Sequence, residues 1–203
     1  MSRFILASGS PRRRELLKAV GYDFDVIPSA VDETLPDGIS PARAVELLSE
    51  RKCGDVAERN PGSVVLGCDT VVVLDGRILG KPADEEDAFK MLRMLSGRVH
   101  SVFTGVCISC GGKKTVFNVE TKVRFFDLTD ELINAYISTG EPMDTAGAYG
   151  IQAFGAALVE SINGDYFTVV GLPLARVMRA LSEFGVESGL ENHIMERKDD
   201  GHM

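Results

Sequence analysis

The chain has 203 residues, 44% of them hydrophobic and 26% charged, with a net charge of −8. That composition suits a globular fold with one good core or two lobes sharing a cleft. The acidic balance argues against a polymer of nucleic acid as partner, since such binders carry broad basic surfaces.

No apolar run reaches the ~20 residues that span a bilayer, and the apolar stretch before the first arginines is too short for a secretory signal. A cytoplasmic protein without membrane contact is expected. The four cysteines, Cys53, Cys68, Cys107 and Cys110, are too few and scattered for a disulfide framework. The Cys107–Cys110 pair lacks a second pair at zinc-site spacing, so structural thiols are expected there.

Taken in chain order, "RFILA" reads as a strand and "SGS" as a turn. Ser10 is a predicted N-cap, with Pro11 in the first helical position and Gly21 as the stop. Arg12, Arg13 and Arg14 crowd the start of that helix. Aligned peptide dipoles already place positive charge there, so an acidic side chain would stabilise by about 0.3–1 kcal/mol and a cation loses a similar amount. An anionic ligand would reverse the sign. "FDVIP" returns as a second strand. "SPARAVELLSERKCGDVAERN" is a helix whose apolar stripe, Val45, Leu48 and Val56, is interrupted by Lys52, a costly place for a charge without a partner.

Val64–Leu66 and Val71–Leu74 are strand-like runs, and Asp75–Gly76 marks a tight hairpin into Arg77–Leu79. Asp69 lies between the two runs, where a carboxylate must be paired, metal-bound or in a cleft. Lys81 follows the hairpin. Ala88, Met91, Leu92 and Leu95 mark a helix. "HSVFTGVCISC" and "KTVFNVETKVRFF" form a predicted long hairpin in which His100 is structural. "LTDELINAYIST" is a further helix, strands are predicted near 157–162 and 166–170, and Leu174, Val177, Leu181 and Phe184 mark the last helix. Residues 1–187 read as one domain and 188–203 as a polar, disordered tail. The fold class is α/β, with a mixed central sheet flanked by helices in two lobes around a cleft.

The arginine cluster, Lys52 and Lys81, set against Asp69 and Glu33, are the residue types polyphosphate chemistry needs. Cations hold phosphate oxygens, while carboxylates hold a divalent metal or deprotonate a water. Known phosphate loops do not fit: Pro82 stands where a P-loop has Ser or Thr, and no Gly-x-Gly-x-x-Gly follows the first strand.

"LASGSPRRRELL", "GCDTVVVLDGRILGKP" and "TGEPMDTAGAYGIQA" resemble the three motifs of the Maf family of nucleotide pyrophosphatases, in order, from about Phe4 to Phe184. The resemblance implies a Maf/ITPase-like fold, hydrolysis of a nucleoside triphosphate to monophosphate and pyrophosphate, a divalent cation (Mg2+ or Mn2+) and a homodimer. It implies Asp69 as general base, with Asp69 and Glu33 toward the metal. Ser8, Arg12, Arg13, Lys52, Thr70, Lys81 and Gln152 would bind substrate. Arg12, Thr70 and Gln152 match positions marking the subgroup similar to dTTP/UTP pyrophosphatases. Two departures stand out. Thr145 replaces a frequent Lys, and Ala153 replaces a frequent Gly with little expected consequence. The rival readings are a sugar-phosphate nucleotidyltransferase and a nucleotide-binding regulator of cell division with weak turnover.

Overall fold

The computed structural model describes residues 3–190 and His193. The chain runs β1 (Phe4–Leu6), α1 (Pro11–Ala19), β2 (Asp25–Val26), α2 (Pro41–Arg59), β3 (Val64–Leu74) and β4 (Arg77–Leu79). It continues through α3 (Glu85–Leu95), β5 (Val99–Cys110), β6 (Lys113–Phe125), α4 (Asp130–Ile137), β7 (Val159–Asn163), α5 (Tyr166–Val170) and α6 (Leu174–Ser182), with three short 3-10 turns between α4 and β7. The sheet order is β2-β1-β3-β5-β6-β7, with β4 also on β3. β1 is parallel to β2 and β3, and the remaining pairs are antiparallel. The sheet is therefore mixed, as expected. Among the described residues no helix is long and apolar enough to cross a membrane.

β3 organises the molecule. The two predicted apolar runs are one continuous strand, and Asp69 lies in its middle rather than at a strand end. β1 pairs with Val64–Leu66 and β4 with Val72–Leu74, on the side away from β5. Between those two partners, residues 67–71 have strand hydrogen bonding on the β5 side only. Separate cores flank this gap. One joins β1, α1 and α6 around Leu6, Leu17, Leu66 and Leu181; the other joins β4, α3 and α4 around Leu74, Leu92, Phe125 and Ile133. Each fully buried Leu or Phe contributes about 1.5–3 kcal/mol by leaving water, so each side of the gap is stabilised by a core of its own.

α2 covers one face of the sheet at unusually close range. A Cβ on Gly105 would lie 2.2 Å from the Val45 carbonyl oxygen, and one on Gly67 would lie 2.5 Å from that of Ser49. Only glycine permits that approach, and Gly105 is the cross-strand partner of Asp69. The helix is thus pressed onto the sheet beside the carboxylate.

Three expectations need correction. Residues 166–170 form α5, not a strand: the Asp165 carboxylate accepts from the Phe167 and Thr168 amides, and this cap overrides the β-branched composition. The other predicted strand is β7, displaced to Val159–Asn163 because a 3-10 turn occupies Ala153–Leu158. The tail cannot start at 188, since Ser188 is fully buried and the Gly189 amide donates to Val20 O at 3.0 Å. The rest of that segment, 191–192 and 194–203, lies outside the described residues.

His100 is structural, as expected. It is 2% exposed, its Nε2 lies 2.7 Å from the Tyr149 hydroxyl, and its ring meets Phe125 and Tyr149 edge-on. Burial pushes its pKa down to about 4 from 6.5. A histidine depressed in the folded state contributes stability above its unfolded pKa and loses it as pH falls toward the folded one. Chemical unfolding should therefore show about 3 kcal/mol lost from this group between neutral pH and pH about 4. His100→Gln, which does not titrate, should remove that part of the slope.

Candidate active site

The gap between β1 and β4 on β3 opens into a cleft of ≈ 700 Å³ between the lobes. The start of α1 faces it through Ser8, Gly9, Ser10, Pro11 and Arg12. Ser10 occupies the N-cap position, but its side chain makes no cap bond and the first turn holds no acid. By contrast, Ser40, Asp84, Thr129 and Asp165 cap their helices with side-chain oxygens. The end of α1 thus keeps its free N–H groups and positive dipole for the cleft.

The three arginines separate in role. Arg12 lines the cleft, half-buried, without a salt bridge to any described residue. Arg13 is a clamp. Its Nε donates to Gly171 O (2.8 Å), Nη1 to Ser8 Oγ (2.9 Å) and Cys68 O (3.0 Å), and Nη2 to Thr70 Oγ1 (3.1 Å). Four of the five guanidinium N–H groups are thereby engaged, leaving one on Nη2. Arg14 is partly buried and lies outside the cleft lining.

On the opposite face of β3, Asp69 Oδ1 accepts from Lys52 Nζ at 2.7 Å, and the same ammonium lies 2.8 Å from Glu33 Oε1. Asp69 is 7% exposed. Burial raises its pKa above the ordinary carboxylate value, and Lys52 and then Arg13 pull it back. Lys52 interrupts the apolar stripe of α2 because it faces this carboxylate. Its neighbour Arg51 donates to Asp32 O (3.2 Å) and Thr34 O (2.7 Å), gripping the backbone on both sides of Glu33.

The other lobe supplies the far wall. Lys81 Nζ pairs with Asp144 Oδ1 at 2.7 Å, both exposed. The Gly147 amide donates to Gly80 O (2.9 Å), tying the two loops together. Thr145, where a Lys was expected, turns its hydroxyl onto Glu141 O (3.0 Å) and Pro142 O (3.1 Å), so it serves its own 3-10 turn. Gln152 lines the cleft. Ala153 is consequential after all, since its φ of +50° lies in the left-handed region. Ala153→Gly should raise stability by about 0.5–1 kcal/mol, read as a higher Tm.

All the residues predicted for the site (Ser8, Arg12, Arg13, Glu33, Lys52, Asp69, Thr70, Lys81 and Gln152) line this single cleft. A family profile described as Maf-like protein matches residues 3–184. The chain belongs to the Maf family. It is 48% identical over 186 residues to a Bacillus pumilus protein named dTTP/UTP pyrophosphatase, covering 92% of this chain and 98% of that one. It is 54% identical over 185 residues to a Symbiobacterium thermophilum protein of the same name, covering 91% and 95%. Among solved structures it is similar to a HAM1 protein from Coxiella burnetii, at 17% identity and a TM-score of 0.49 over 90% of this chain and 100% of that one.

Within this Maf chain the candidate metal ligands are two carboxylates. Among the described residues no three metal-binding side chains cluster. Mg2+ characteristically takes one or two carboxylates and fills its octahedron with waters and substrate phosphates. Lys52 engages only Oδ1 of Asp69, leaving Oδ2 for such a role. The donor set therefore fits a hydrated divalent cation of that kind. Sequence reasoning missed several supports of this Maf site. Arg51 is one. Glu141 is another: its carboxylate accepts from the Phe154 and Gly155 amides and fixes the chain just after Gln152.

Proposed function

We propose that this cleft hydrolyses a nucleoside triphosphate to the monophosphate and diphosphate, with dTTP, UTP and related or modified pyrimidine nucleotides as substrates. The observation that carries the reading is the buried Asp69 carboxylate, held by Lys52 beside an uncapped helix start and Arg12, which has no salt bridge among the described residues. The names of the relatives support the same chemistry.

In this mechanism the free amides of α1, Arg12 and the remaining N–H of Arg13 take the phosphate oxygens. Lys81 exchanges Asp144 for the triphosphate. Asp69 accepts the proton of a water aimed at the α-phosphorus, and Lys52 holds the carboxylate in place and restrains its pKa. Charge then develops on the bridging oxygen of the leaving diphosphate, where the cations already stand. A divalent cation held by Asp69 and Glu33, when bound, would neutralise phosphate charge and orient the chain. Gln152 offers both a donor and an acceptor to the edge of a pyrimidine ring.

The four cysteines are free thiols, which suits a reducing compartment, so the reading places the protein in the cytoplasm. It includes a homodimer, which sedimentation would test. The function itself is tested by incubating the protein with each triphosphate and Mg2+ or Mn2+, without any sugar phosphate. Pyrimidine monophosphate plus pyrophosphate is expected. Orthophosphate plus nucleoside diphosphate would place the cleavage elsewhere, and no turnover would remove the enzyme reading.

A further inference from the structure

Behind the cleft a line of hydroxyls runs from Arg13 into the core. Thr104 on β5 is fully buried and does not line the cleft. Its Oγ1 lies 2.8 Å from the Thr168 carbonyl oxygen in α5 and 2.9 Å from Thr70 Oγ1. A carbonyl only accepts, so the single hydroxyl proton of Thr104 goes to Thr168 O. The bond between the two threonines must then use the proton of Thr70. That leaves Thr70 Oγ1 as acceptor toward Arg13 Nη2, and a guanidinium only donates. The polarity of the whole chain, Arg13 to Thr70 to Thr104 to the α5 backbone, is fixed by one carbonyl.

Two consequences follow. Thr70 has no proton left for a ligand, so its part in the site is to aim Arg13. The guanidinium is held from three sides: Gly171 O beyond α5, the Ser8 and Cys68 oxygens at β1 and β3, and this relay. Its one free N–H therefore has a set direction. α5 is itself pinned to the sheet, since Thr121 Oγ1 donates to Asp165 O at 3.0 Å. The relay thus ends on a fixed element.

We propose that Thr104 is a positioning residue for this site: its hydroxyl sets the donor direction of Thr70 and so aims Arg13 at the substrate's phosphates. The kinetic readout rests on the pyrophosphatase reading; the structural one does not.

The test compares Thr104→Val, which keeps the shape and removes the hydroxyl, with Thr104→Ser, which keeps the hydroxyl. For dTTP, kcat/KM of the valine variant should fall by about 100-fold, with KM itself rising about tenfold, because an anchoring donor has lost its aim. The serine variant should stay within about threefold of the wild type on the same grounds. A partly unfolded population would lower kcat and leave KM unmoved; that result overturns the proposal. So does a valine variant equal to wild type, or a serine variant as impaired as valine. Thr104→Cys, with a poor donor in a similar shape, replaces valine if that chain does not fold. A crystal structure of the same variant supplies the second arm. Displacement of the guanidinium from Ser8 and Cys68 is expected, and an unmoved guanidinium refutes the relay. If the wild type turns over no nucleotide, the pyrophosphatase reading fails by itself, and the position of Arg13 still decides the claim about Thr104.

Discussion

Replacing Asp69 with asparagine is expected to lower kcat for dTTP by about 10³-fold or more, the usual scale for loss of a general base, while the protein stays folded. Asparagine keeps the shape of the side chain and its bonding capacity toward Lys52, but it cannot take a proton from water. The stability result is as informative as the rate. Burial is the largest influence on Asp69 and holds its pKa above the ordinary value despite Lys52. A raised carboxylate pKa means that the folded state binds the proton more tightly than the unfolded one. The ionised group therefore costs stability as pH rises through that pKa. Asp69→Asn removes this cost, so Tm at neutral pH should be no lower than that of the wild type. An inactive variant of undiminished stability marks a residue kept for chemistry. Nucleotide turnover near the wild-type rate would instead support a different base, and a collapsed Tm would make Asp69 a structural residue.

Lys52→Met is expected to move the acid limb of the kcat/KM profile to higher pH by about one unit or more, since an adjacent opposite charge is worth 1–3 units. The sign follows from the proposed role. Asp69 works when ionised, so the rate falls as pH drops through its pKa. Without the ammonium, burial is opposed chiefly by Arg13, and the carboxylate holds its proton to higher pH. Methionine preserves the packing of the stem against α2. The variant should also lose about 3 kcal/mol of stability, the low end for breaking a buried ion pair, because the cleft side of this one is open to solvent. That loss should grow with pH, where Asp69 is forced to ionise unpaired. An acid limb that stays in place or moves down would separate Lys52 from the base.

Much of this site was legible because it breaks local rules. Asp69 is a charge in an apolar strand, Lys52 a charge in an apolar helical stripe, and Arg12 a cation at a helix end that repels it. Each violation is a local cost that only a tertiary partner or a ligand relieves. The supports were not legible because they obey every local rule. Thr104 is an ordinary β-branched strand residue, and its value lies in Thr70 and Thr168, 34 and 64 residues away along the chain. Arg13 spends its donors mainly on backbone carbonyls and hydroxyls, which no charge pattern reveals. Arg51 reads as a solvated helix residue until the loop carrying Glu33 folds back on it.

The fold shows the same division. Periodicity placed α2, α3 and the β5–β6 hairpin, whose turn at Gly111 and Gly112 has positive φ at both positions. It misplaced α5, where β-branched residues are helical because Asp165 caps the turn and Thr104 and Thr121 pin it. It split β3 at Asp69, because a charge in mid-strand reads as a break. The strand continues through it because Lys52, carried by a helix pressed against two glycines, meets the carboxylate there.

The central claim is that Asp69 directs water onto the phosphorus nearest the nucleoside. Hydrolysis of dTTP in isotopically labelled water tests it directly. Heavy oxygen should enter the nucleoside monophosphate and leave the pyrophosphate unlabelled, and should do so about 10³-fold more slowly in Asp69→Asn than in the wild type. Label in the pyrophosphate, or in orthophosphate, would contradict the account.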